Sequence, residues 1–165
     1  MSASTGSGLV PPNLAALVPI LIKEPGLFEA MSEIGRAEKY EITAAPSVYP
    51  FIAAAVASRT PLLLATATGR EATDLASALR AFIAPSEVVL FPAWETLPHE
   101  RLSPRSDTVG ERLSVLRRLT HPQEGRIRVV VAPIRAILQP FVRGLGDLPQ
   151  VRVSAGDEKR STTYL

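Results

Sequence analysis

A chain of 165 residues, 46% hydrophobic and 21% charged, is long enough to bury a core and reads as one globular domain, or one domain with a fragment of a second. It has no cysteine, which excludes disulfides and thiolate metal sites, and its longest apolar runs, FIAAAVA and VVVA, fall far short of a membrane span. No basic region followed by an apolar stretch opens it, so a cytoplasmic location is expected. The net charge of +2 is unevenly spread: residues 1–100 carry 6 basic and 10 acidic side chains, residues 101–165 carry 12 and 6. The basic half would suit nucleic acid or an acidic partner, but its charges stand singly among apolar residues, which argues against a dedicated nucleic-acid patch.

In chain order, residues 1–12 hold Ser, Thr, Gly and paired prolines with almost nothing to bury, and are expected to form a disordered leader. Asn13 to Ile22 is a short amphipathic stretch ended by Pro25 and Gly26, and Leu27 to Ile34 is a second, ended by Gly35. Two short helices outside the main sheet fit both.

Tyr40 to Arg59 has the layout of a short strand, a turn and an Ala-rich helix, at the position where a nucleotide-binding loop would sit. A phosphate cradle needs glycines whose amides face the phosphates, a lysine for their charge, and a hydroxyl for magnesium. The loop here is Ala44, Ala45, Pro46, Ser47, Val48, Tyr49 and Pro50, without glycine or lysine. Its two prolines each remove an amide donor. None of Lys23, Lys39 and Lys159 follows a glycine, so ATP hydrolysis by this chain is not expected.

Thr60 to Ala84 is a strand and then a helix, with Leu75, Leu79 and Phe82 at helical spacing. Its Thr66 to Glu71 turn offers amides that an anion could use, although capping the helix is the simpler role. Glu87 to Phe91 supplies another strand and delivers the chain to Ala93–Leu119, AWETLPHERLSPRSDTVGERLSVLRRL, the most particular stretch of the sequence. Asp107 or Thr108 is expected to cap its helix, with Glu111 completing a capping box and Val109, Leu113 and Leu116 facing the core.

Arg112 falls within the apolar arc of that helix and must snorkel or find a carboxylate, with Glu95, Glu100 and Asp107 nearest in sequence. Trp94 either closes the edge of a core or, with Leu97 and Leu102, docks a neighbouring domain. His99 and Glu100 beside Arg101 form an acid–base group in outline only, since no nucleophile accompanies them. His99 and His121 lack metal-ligand spacing, so no metal site is expected.

Beyond the helix, His121, Pro122 and Gly125 make a turn, and Ile127 to Ala132 is an apolar run suited to a strand covered on both faces. Pro133 then begins a short helix. Strand and helix alternate throughout, so the expected fold is α/β, a doubly wound parallel sheet flanked by helices of the RecA or helicase type. Gly144 to Pro149 reads as a boundary, after which VRVSAGDEKRSTTYL begins another element. Asp157-Glu158 matches the acidic pair of a helicase motif only as a dipeptide.

The words TATGREATDLASALR, FPAWETLPHERLSP and SDTVGERLSVLRRL, within Tyr40 to Leu165, resemble the first domain of the transcription-repair coupling factor family (Mfd), itself similar to the first domain of the excision-repair protein UvrB. The resemblance implies a UvrB domain 1a-like fold over residues 13–145 whose phosphate loop, Ala44 to Pro50, is degenerate, then the start of a UvrA-binding second domain in residues 146–165. It implies a truncated amino-terminal module with no catalytic residue, metal or cofactor of its own. ATP and magnesium would serve motors further along the parent, a translocase on double-stranded DNA that releases stalled RNA polymerase and recruits UvrA for nucleotide excision repair. The partners of the module would be other domains of the parent polypeptide and, through it, UvrA, RNA polymerase and DNA, with no membrane. Trp94, Glu95, Leu97, His99, Arg101, Asp107 and Arg112 would then be domain-interface or structural residues. The rival reading is a free-standing α/β enzyme or phosphate-ligand-binding domain using the Thr66 to Glu71 turn and the His99 loop.

Overall fold

The structure, a computed structural model, describes residues 14–34, 36–94 and 105–148. Its sheet is built from the three most β-branched or leucine-rich runs of the sequence: β1 (Leu62–Thr66), β2 (Val88–Leu90) and β3 (Val129–Pro133). All are parallel in the order β1-β3-β2, so the strand that comes last in sequence is central. Every residue of β3 is buried, as its unbroken apolar run predicts.

Register fixes two faces. Leu62, Val129 and Val88 stand level on the first face, and Leu63, Val130 and Val89 on the second. On the first face lie α3 (Tyr49–Ala57) and α4 (Gly69–Leu79), whose small residues Ala53, Ala54, Ala72 and Ala76 bring the helices close around Leu79, Val129 and Val131. Phe82 lies past the end of α4 but still reaches this core, its ring 4.8 Å from that of Phe51. The second face is covered by α5 (Ser106–Thr120) and α6 (Ile134–Leu138), through Val115 and Ala136 against Phe91, Val130 and Ala132. Helices on both faces of a parallel sheet are the architecture that the alternating sequence predicts.

The structure departs from the sequence reading in local ways. Residues 39–45 form no strand: Tyr40 and Ile42 are exposed, and among the described residues no neighbour supplies the hydrogen bonds a strand needs. The loop Ala44 to Pro50 contains a single 3-10 turn, Pro46–Val48, running directly into α3. Pro25 opens a helix instead of ending one. It is the first residue of α2 (Pro25–Glu33), after α1 (Val18–Leu21), because proline lacks only an amide that the first turn leaves unpaired. Glu24 caps α2 by accepting from the Leu27 amide at 2.8 Å.

The start of α5 also differs. Its capping position is Arg105, not Asp107 or Thr108, and no capping box forms with Glu111. Ser106 and Asp107 lie inside the first turn, where an acidic side chain complements the helix dipole. The buried stripe is Thr108, Arg112 and Val115, one residue ahead of the predicted Val109, Leu113 and Leu116, which are half-buried.

Candidate functional site

That one-residue rotation places Arg112 in the core beneath the carboxyl end of β2. Phe91 continues β2, its amide donating to the Val131 carbonyl at 2.8 Å, and Pro92 and Ala93 carry the chain to Trp94. The Arg112 guanidinium carbon lies 4.2 Å from the Phe91 ring centroid and 4.4 Å from the Trp94 centroid. A cation between two aromatic faces is attracted by both ring quadrupoles, which offsets part of its lost hydration. One guanidinium nitrogen, Nη1, donates to the Pro92 carbonyl at 2.6 Å, while Nε and Nη2 are buried without a partner among the described residues. Burial accordingly lowers the pKa of Arg112 from its ordinary value.

Trp94 is held by its backbone. The Gln139 side chain, just past α6, accepts from the Trp94 amide at 2.7 Å and donates to its carbonyl at 3.3 Å, pairing with it as a neighbouring strand would. The sequence carried no signal for Gln139, since a side-chain amide matching one backbone unit depends on where α6 ends in space. For Arg112 the snorkelling alternative is corrected, since the side chain stays buried. It neither snorkels nor meets a carboxylate among the described residues; Asp107 is exposed, and Glu95 and Glu100 lie outside the described residues, as do Leu97, His99, Arg101 and Leu102.

Around Trp94, at the carboxyl ends of the strands, is an open cavity of about 480 Å³ bordered by Thr68, Gly69, Pro133 and Arg135. Ligands of open α/β sheets bind at this end. Several amides of the turn before α4 are nevertheless taken. The Ala67 and Thr68 amides donate to the Glu71 carboxylate at 3.1 and 3.3 Å, and the Thr68 hydroxyl accepts from the Glu71 amide at 3.2 Å. This capping box puts a carboxylate where an anion would have to sit.

Ala44 to Pro50 also commit part of their backbone. The Val48 amide is used by the Ala45 carbonyl at 2.9 Å, and Pro46 and Pro50 have none to give. Among the described residues no group of three or more His, Cys, Asp or Glu is arranged to hold a metal, and no helix is long and apolar enough to cross a membrane.

Elsewhere the arginines of α5 are committed to structure. Arg117 makes a two-pronged ion pair with Glu124, its Nε 2.6 Å from the carboxylate, and that hydrogen bond raises its pKa. Arg118 donates to the Ser86 and Arg126 carbonyls, tying α5 to both neighbouring connections. Arg117 and Arg118 thus bind the chain to itself.

No protein-family model matches the chain. Its sequence is 43% identical over 150 residues, 88% of its length, to transcription-repair-coupling factors of Mycobacterium bovis and Mycobacterium tuberculosis. It is 35% identical to that of Haemophilus influenzae over 57 residues, 34% of this chain and 5% of that protein. The chain is thus similar to transcription-repair-coupling factors over 88% of its own length, and it spans 12% of the length of these mycobacterial relatives.

Proposed function

We propose that the chain is a non-catalytic, amino-terminal scaffold module of a transcription-repair coupling factor, with a UvrB-like fold whose phosphate loop is degenerate. The parent would be a DNA translocase that uses ATP and magnesium at motors outside this segment, releases stalled RNA polymerase, and recruits UvrA for excision repair. Residues 13–145 would form the UvrB-like unit and residues 146–165 the beginning of the UvrA-binding one. Trp94 and Arg112 would serve the module structurally, with Glu95, Leu97, His99, Arg101 and Asp107 at or near its contacts with other domains of the parent. A cytoplasmic setting follows from that work.

The observation that carries this reading is the match of 88% of the chain to coupling factors. Two features support its non-catalytic part: two prolines at the position of a phosphate loop, and a turn before α4 whose Ala67 and Thr68 amides already serve Glu71. A graft tests it. The matching 150 residues of the Mycobacterium tuberculosis factor are replaced by those of this chain, and repair of the transcribed strand is measured in cells lacking their own factor. Retained strand-specific repair is expected; a graft that is stable and still hydrolyses ATP, yet repairs neither strand preferentially, would refute the assignment.

A further inference from the structure

Among the described residues Arg112 is the one buried charged side chain, and the donors it has to spare have a particular shape. Its Nη1 donates to the Pro92 carbonyl at 2.6 Å, whereas Nε and Nη2 have no partner among the described residues although both are buried. Those two nitrogens form a single edge of the guanidinium. Their N–H bonds point the same way and match the two oxygens of a carboxylate, the pairing that makes arginine–carboxylate contacts two-pronged. A neutral acceptor such as water would satisfy the donors and leave the buried charge uncompensated; an anion does both.

The surroundings select among anions. The guanidinium carbon lies 4.2 Å from the Phe91 ring centroid and 4.4 Å from that of Trp94, so the cation is held between two flat faces. A planar anion that continues the guanidinium plane fits between such faces. A tetrahedral phosphate is thicker and would press its oxygens against rings whose faces are themselves negative. The described acidic residues of α5 do not serve, since Asp107 and Glu111 are exposed. The way in lies at Trp94, which borders both the guanidinium and the open cavity of about 480 Å³ at the carboxyl ends of the strands. Gln139 holds the backbone of Trp94, while the half-buried indole makes no hydrogen bond among the described residues. The ring can therefore turn about its own side-chain bonds without moving the chain.

We propose that Arg112 is a receptor for a carboxylate, which enters from the cavity beside Trp94 and is held side-on by Nε and Nη2 between the Phe91 and Trp94 rings. Free small acids and the Asp or Glu side chains of a bound protein segment share this chemistry. The assignment stands apart from the repair function, and its failure would leave that function untouched.

The test uses the full chain and two readouts, the NMR resonance of the Arg112 Nε–H and the emission of Trp94. Acetate is titrated against chloride and phosphate at matched ionic strength. Acetate is expected to move both signals together, with half of the effect between about 1 and 100 mM, while chloride and phosphate move neither. Arg112→Lys keeps a cation but lacks the fork, and should weaken acetate at least about tenfold by Trp94 emission. Should that variant not fold, the resonance in the unsubstituted chain decides alone. A capped Gly-Glu-Gly peptide beside its Gly-Gln-Gly counterpart separates the sources: tighter binding than acetate, lost with glutamine, identifies a bound segment, and binding no tighter than acetate identifies a free acid. No response to acetate, an equal response to chloride or phosphate, or a change in Trp94 emission without the Arg112 resonance overturns the proposal. So does an acetate response that grows about tenfold in Glu95→Gln or Glu100→Gln, because a carboxylate of the chain would then already hold the fork.

Discussion

The guanidinium of Arg112 sits 4.4 Å above the Trp94 ring and is 1% exposed, so the deepest side chain of α5 is a cation held by aromatic faces and one carbonyl. Its methylene stem fills core volume while its head joins α5 to the end of β2. Two substitutions separate these contributions. Arg112→Ala leaves a cavity and should cost about 2–4 kcal/mol. Arg112→Met keeps most of the volume and removes a buried charge with two donors that have no partner among the described residues, so its cost should stay within about 1.5 kcal/mol. Urea unfolding of both variants decides. A methionine variant as damaged as the alanine one would mean that the rings require the charge, not the stem.

Trp94 is the sole tryptophan, and its backbone rests on one side chain. Gln139→Ala should release that segment, leave the Trp94 amide to solvent, and cost about 1 kcal/mol. Emission from Trp94 should shift to the red in the native state, before any unfolding. A stability loss without a spectral shift would place Gln139 in general packing and not in the positioning of Trp94.

Two glycines make opposite predictions. A Cβ on Gly146 would lie 2.7 Å from the Thr120 hydroxyl and 2.8 Å from the Leu116 carbonyl, so Gly146→Ala must push the Leu145–Asp147 turn off α5. Overpacking of this kind costs about 1–3 kcal/mol. Gly110, inside α5, has nothing within 4 Å of the same position, and Gly110→Ala should raise stability by about 0.5–1 kcal/mol through helix propensity. Thermal melts of the two variants should move in opposite directions; a harmless Gly146→Ala would show that the turn is not seated on the helix.

Much of this architecture is legible in the sequence because it rests on local chemistry. The run Val129 to Val131 specifies a strand covered on both sides, and Thr68 with Glu71 specifies where α4 starts. The site around Trp94 is less legible. Periodicity gave α5 a leucine-lined face, whereas the aromatic pair at the end of β2 accepts an arginine and turns the helix by one residue. Helical angle alone cannot weigh a cation against a leucine when the aromatic partners lie about twenty residues away. Residues 39–45 show the converse: β-like composition makes no strand unless a partner strand is beside it.

The Thr68–Glu71 capping box yields the last prediction, in which stability and ligand binding are tested on the same residues. Thr68→Ala removes the acceptor for the Glu71 amide and should cost about 1 kcal/mol, while Thr68→Ser keeps the oxygen and should cost less. In the unsubstituted chain the Glu71 carboxylate occupies the Ala67 and Thr68 amides, so a phosphate approaching this turn meets a negative charge beside it. Titration with ATP, followed by Trp94 emission from the rim of the same cavity, should therefore stay flat to millimolar concentration. A saturable change in emission would revive the reading of the chain as a phosphate-ligand-binding domain. It would also require the capping box to open, so that Thr68→Ala, by loosening Glu71, should then bind ATP more tightly than the unsubstituted chain.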